Sequence, residues 1–207
     1  MASSMIHIAI ANEINKTIKK DKTKLLIGTI APDISKRIGQ TKKESHFLDF
    51  GGDIPNLERF LEKYKNNLND DFVLGYYIHL YTDYLWFKYF MPEILDKHLI
   101  TKLDGTKVPC YGKMVSLYIY NDYTNMNIQL LDEYNLDLKL FYNPLPEFSN
   151  IIEEIPMDKL QIIVDATGEI IENTKVHKDM IFNIDNIKQF ISTSVELILS
   201  ELKKLNI

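Results

Sequence analysis

Residues 70–91 read DDFVLGYYIHLYTDYLWFKYFM, an apolar stretch without internal proline whose acidic start opposes the positive end of a helix dipole. A helix here decides the rest of the reading. At about 100° per residue, His79 and Asp83 project from one face, one turn apart, where two helical side chains reach a common metal ion. Phe72, Gly75, Trp86 and Phe90 fall within about 60° of that pair, and Tyr77, Tyr81 and Lys88 lie opposite, so the pair is expected on the buried face. Burying an imidazole and a carboxylate is costly unless each finds a partner. A shared divalent cation satisfies both, and so does a His–Asp hydrogen bond inside an ordinary core helix. The pair alone leaves both readings open.

Toward the N-terminus, Ser3 and Ser4 suit the cap of a helix over Met5–Ile18, on which His7 shares the apolar face with Ile10, Ala11, Ile14 and Ile18. After a basic turn comes LLIGTIAPDI, residues 25–34. Ala31-Pro32 is expected to turn or extend the chain there, placing Asp33 on a stiff connection near the core. Residues 35–53, SKRIGQTKKESHFLDFGGD, read as a loop carrying His46. Its Lys36, Arg37, Lys42 and Lys43 either draw an anionic substrate toward Asp33 and His46 or simply solvate the loop. Pro55 is expected in the first turn of a helix marked by Leu57, Phe60, Leu61, Tyr64 and Leu68.

Toward the C-terminus, residues 101–113 look irregular, a lid or surface excursion. A helix from about Met114 to Tyr134 aligns Tyr118, Asn121, Asp122 and Asn125 as a polar stripe, expected to be solvated. Pro156 opens a helix through about Asp165, and a last amphipathic pattern covers Asp185–Leu205. His98 and His177 are expected on surface connections.

The 207 residues are 45% hydrophobic with eight glycines and seven prolines, which with these periodicities predicts one all-α domain. The formal charge of -5 gives no reason to expect duplex nucleic acid or an anionic membrane as partner. The single Cys110 fits a reducing compartment. The first residues, MASSMIHIAIANEINK, lack the basic region and cleavage site of a secretory signal. No segment approaches the ~20 apolar residues that span a bilayer, so a cytoplasmic location is expected and the oligomeric state is left open. There is no repeat, Gly-rich phosphate loop or G-x-S-x-G, and Cys110 lacks the setting of a nucleophile.

Two inward-facing histidines on helices, the His79–Asp83 pair, Asp33 and His46 together supply enough N and O ligands for one or two metal ions. The segments that carry them are MIHIAIA (5–11), IAPDI (30–34), KESHF (43–47) and GYYIHLYTDYLW (75–86). In this order they resemble the zinc-dependent phospholipase C family, relatives of the fungal single-strand nucleases, and especially its small bacterial branch. The resemblance covers about the first 90 residues and, loosely, the next 45. It implies a helical array around a metal site in the first 135 residues or so; the helical patterns beyond are read from their own apolar spacing as packing helices. It implies His7, His46 and His79 as zinc ligands, Asp33 as a ligand or the base, and Asp83 as the carboxylate that bridges two ions, another divalent metal being an alternative to zinc.

Three departures accompany the resemblance. The family's processed N-terminal residue binds zinc through its own amine, whereas this chain starts at Met1 with no signal segment. Where the family places a further histidine after the pair, Tyr89 or Glu93 stands. The nearest match to the family's later His-x-x-x-Glu is Tyr118 with Asp122, so a third ion in the family's manner is not expected, and Tyr118, Asp122 and Trp86 remain as weak-ligand or supporting positions. Trp86 and the nearby tyrosines form either a wall for a lipid or base or simply core. The expected chemistry is hydrolysis of a small phosphomonoester or phosphodiester, the metal lowering the pKa of bound water from about 16 to about 7. The rival expectation is a non-catalytic protein whose ion pins the helices together, and a third is a helical binding protein with no metal.

Overall fold

A computed structural model describes residues 1–136, 138–172 and 178–207, and the chain is predominantly helical. Ser3 caps α1 (Ser4–Ile18) by accepting from the Ile6 N–H, and Asp21 caps α2 (Lys22–Ile30) through the Lys24 N–H. The chain does not extend at Ala31-Pro32. It tightens into a 3-10 turn, Ala31–Asp33, and passes directly into α3 (Ile34–Arg37). Pro32 is tolerated because it falls in the first turn, where its missing N–H is no loss. Asn56 caps α4 (Leu57–Tyr64), which leaves Pro55 just outside the helix rather than in its first turn.

Asp70 caps α5 (Asp71–Leu85), accepting from the Phe72 and Val73 N–H groups. The helical path continues beyond Leu85 through a π turn, Trp86–Phe90, and α6 (Met91–Ile94). α5 packs against α1, α2, α4 and α9 (Ile184–Lys204). Burial therefore extends around the helix, and Tyr77, expected opposite the site, is 1% exposed. The approach of α2 to α5 is closest at two glycines. A Cβ on Gly75 would lie 2.0 Å from the Leu25 carbonyl oxygen, and one on Gly28 would lie 2.1 Å from that of Phe72. Only glycine allows these backbones to touch.

An antiparallel meander of β1 (Leu95–Asp96), β2 (Leu99–Thr101) and β3 (Lys107–Pro109) begins before the region expected to be irregular, residues 101–113, and reaches into it through Thr101 and β3. Buried Ile100 pairs with both Leu95 and Val108. His98 lies in the exposed β1–β2 turn with its ring against Tyr111. α7 (Lys113–Glu133) does not present Asp122 to solvent. That carboxylate is fully buried and accepts from the Met180, Ile181 and Phe182 N–H groups, tying the segment before α9 to α7. α8 (Leu160–Glu172) runs beyond Asp165, and His177 lies outside the described residues. Buried apolar side chains form one cluster from Ala2 to Leu202. Among the described residues, no helix is long and apolar enough to cross a membrane.

Candidate metal centre

α1 supplies His7, the 3-10 turn supplies Asp33, the loop after α3 supplies His46, and α5 supplies His79 and Asp83. The five converge in the interior, where His7, His79 and Asp83 are 0% exposed, His46 1% and Asp33 8%. Two overlapping triads have ligand atoms mutually within 4.8 Å: His7, His79 and Asp83, and Asp33, His46 and His79. In the second, His46 Nε2 lies 3.4 Å from Asp33 Oδ1 and 3.2 Å from His79 Nε2. Ligand atoms around a tetrahedral zinc stand about 3.3 Å apart when each bond is 2.0–2.1 Å. The spacing fits an ion.

Hydrogen bonding behind the ring fixes the tautomer of His79. His79 Nδ1 is 2.7 Å from the Thr29 carbonyl oxygen, which only accepts, so Nδ1 carries the proton and Nε2 keeps its lone pair. His46 Nδ1 is backed by Ser45 Oγ at 3.0 Å, and Ser45 itself is held by the Tyr76 hydroxyl, which donates to its carbonyl. This arrangement, a carbonyl behind His79 and a hydroxyl behind His46, is the kind that orients histidine ligands. His7 stacks on His79 with ring centroids 3.9 Å apart. Among the described residues neither of its ring nitrogens finds a hydrogen-bond partner, and Nε2 lies 3.4 Å from Asp83 Oδ1. Asp33 Oδ1 and Asp83 Oδ2 likewise have no hydrogen-bond partner among the described residues. So many unpartnered buried atoms facing one another are costly unless something satisfies them together, and a divalent cation matches this donor set.

The triads share His79, whereas the family pattern points to Asp83 as the bridge. With Nδ1 committed to Thr29, His79 has one lone pair and serves one ion at a time. Asp83 has an oxygen on each side: Oδ1 toward His7, and Oδ2 at 3.7 Å from His79 Nε2 and 3.8 Å from His46 Nε2. Its Oδ1 additionally accepts from the Ala2 N–H at 3.0 Å. A second ion therefore requires Asp83 to span both positions.

Burial depresses the pKa of His79 well below the usual histidine value, and neighbouring His7 adds to the effect. Burial likewise lowers His46, partly offset by Asp33. For the carboxylates, burial acts upward but is outweighed. The His46 contact with the charges of His79 and Lys42 holds Asp33 below the usual carboxylate range, and His7, with the charges around it, does so for Asp83. Neutral imidazoles and ionised carboxylates are the states that bind metals. Burial also lowers Lys42, against the upward pull of Asp83 and Asp33.

Tyr118 and Asp122 do not join the triads. Tyr118 is half-buried with the Lys102 ammonium over its ring, and Asp122 is occupied by backbone N–H groups. Trp86, an N–H donor that cannot ligate, packs among Phe90, Tyr123, Phe182 and Phe190. Tyr89 and Glu93 are exposed. Sequence reasoning missed the Thr29 carbonyl, the Ala2 N–H and the Tyr76 hydroxyl. The first two are backbone groups that leave no mark on residue type. Tyr76 does carry a signal, a phenol deep in an apolar helix that needs a hydrogen-bond acceptor.

Asp33 also lines a cavity of about 500 Å³ bounded by the N-terminal residues, α3, α7 and α8. Comparison with family models, curated proteins and solved structures finds no match.

Proposed function

We propose that this chain is a metal-dependent phosphoesterase, hydrolysing small phosphodiesters or phosphomonoesters with zinc as its metal, in the cytoplasm. The observation that carries the reading is Asp33, which belongs to a buried triad and also lines the cavity. Structural zinc sites are closed by four protein ligands, whereas catalytic ones keep a position open. A triad one of whose three members, Asp33, reaches a cavity is closer to the second pattern. Held by Asp33, His46 and His79, with Asp83 and His7 adjoining, a zinc ion would supply Lewis acidity to a phosphoryl oxygen and lower the pKa of water. The Asp33 carboxylate, kept ionised by its surroundings, is placed to orient a water from the cavity, and its part as base rests on that position. His79 keeps its Nε2 lone pair for the ion, and Lys36 and Arg37 at the cavity offset the charge of a phosphate. The resemblance of the first 90 residues or so to the zinc-dependent phospholipases C supports the same chemistry. Unpaired Cys110 fits a reducing compartment.

A second reading has its own observation. His7, His79 and Asp83 are fully buried and do not line the cavity, so an ion there would only pin α1 to α5. The test is turnover of bis(p-nitrophenyl) phosphate and p-nitrophenyl phosphate by zinc-loaded protein. The phosphoesterase reading expects turnover that Asp33→Asn lowers about 100-fold or more per bound zinc, since loss of a ligand also weakens the hold on the ion. Absence of turnover on both substrates favours the structural ion.

A further inference from the structure

The cavity beside Asp33 is lined by both cationic and apolar side chains. Lys36 and Arg37 follow Asp33 within one turn, line the cavity and are exposed, and neither takes part in an ion pair with a described residue. Tyr123 and Ile163, both buried, and the exposed Tyr120 give the cavity its apolar and aromatic side. Two cations next to a carboxylate-bearing site, in a chain whose formal charge is -5, are a local reversal of sign, and they favour an anion. A guanidinium and an ammonium are the usual partners of a phosphate. The apolar wall has no use for a bare inorganic ion. A volume of about 500 Å³ lies within the range that encloses a small organic molecule, roughly 300–1,000 Å³.

We infer that this cavity binds a small phosphate monoester of an aromatic or apolar alcohol, with the phosphate at Lys36 and Arg37 and the alcohol against Tyr120, Tyr123 and Ile163. The inference rests on the phosphoesterase reading for its orientation and narrows that reading to a substrate class. Lys36 and Arg37 hold the phosphate beside Asp33, and the alcohol's contact with the aromatic wall discriminates among esters. The same phosphate-and-apolar chemistry occurs in a small soluble ester and in an anionic lipid at a membrane. A volume of about 500 Å³ takes up the whole of a small soluble ester, and that favours the soluble ester.

The test is calorimetric binding of phenyl phosphate and inorganic phosphate to the full chain, with zinc and with a chelator. Vesicles of phosphatidylcholine containing phosphatidic acid form a separate arm. Phenyl phosphate should bind about 10-fold or more tightly than inorganic phosphate because its ring leaves water. Lys36→Glu with Arg37→Glu should weaken both probes about 10-fold or more, and Tyr120→Glu should narrow the gap between them. All three residues are exposed, and thermal melts confirm that each variant is folded. Equal affinity for the two probes, or affinities unmoved by the charge reversals, overturns the inference, as does absence of binding by either probe. Vesicle binding without phenyl selectivity overturns the soluble-ester assignment. Selective phenyl phosphate binding without hydrolysis keeps the cavity assignment and removes the phosphoesterase. Hydrolysis with no probe selectivity does the reverse.

Discussion

Replacing Gly75 with alanine tests whether the contact of α2 with α5 builds the metal centre. The added Cβ would lie 2.0 Å from the Leu25 carbonyl oxygen and 3.0 Å from the Thr29 nitrogen. Ordinary contact begins at 3.4 Å, so the two backbones must part by about 1.4 Å. Backbone cannot rotate aside as a side chain does. Thr29 and His79 meet across this seam at 2.7 Å, and opening it by that amount carries their hydrogen bond beyond the usual limit of about 3.2 Å. Metal ligands tolerate only about 0.2 Å. An exposed helix would gain about 1 kcal/mol from Gly→Ala, but overpacking against backbone costs about 3 kcal/mol, leaving a net loss of about 2 kcal/mol. For a chain of this size, Tm should fall by about 4–8 °C, and zinc affinity in a chelator competition should fall about 10–100-fold. A variant as stable as the parent, with zinc affinity within about 2-fold, would refute the argument that this seam positions the site.

Other outcomes follow from the same geometry. Asp122→Ala strands three N–H groups at about 1 kcal/mol or more each, so Tm should fall by about 6 °C or more with zinc content unchanged; loss of zinc would instead make Asp122 a ligand. In metal-free protein, His46 and His79 have depressed folded pKa values. The unfolded chain then binds more protons below about pH 6.5, and stability that is full above that pH is lost as pH falls, by up to about 1.4 kcal/mol per unit for each histidine. Urea unfolding at pH 7.5 and 5.5 measures this, and equal stability at the two values would contradict it. Tyr76→Phe removes the donor that holds the Ser45 carbonyl and should weaken zinc binding by about 10-fold in the same chelator competition, an effect absent if Ser45 and His46 are held by the loop alone.

Much of the helical frame was legible because apolar spacing and caps agree. Ser3 and Asp70 stand where the caps fall, and the α9 pattern is uninterrupted. The π turn after Leu85 was not legible, since its winding depends on packing that residue type does not encode. Short strands from Leu95 to Pro109 escaped because each is two or three residues long and only Ile100 is buried hard. Asp122 read as solvated because its partners lie 58–60 residues away. At the site, residue types and their inward faces were readable one by one, and the five side chains do converge. The shared position of His79 was not, because it depends on the Thr29 carbonyl.

The most direct measurement is the metal content of purified protein after zinc supplementation and desalting, compared with His79→Ala. His79 belongs to both triads, so the account predicts about one equivalent or more in the parent and less than about a tenth in the variant. Less than about a tenth of an equivalent of zinc, manganese or iron in the parent itself would contradict it.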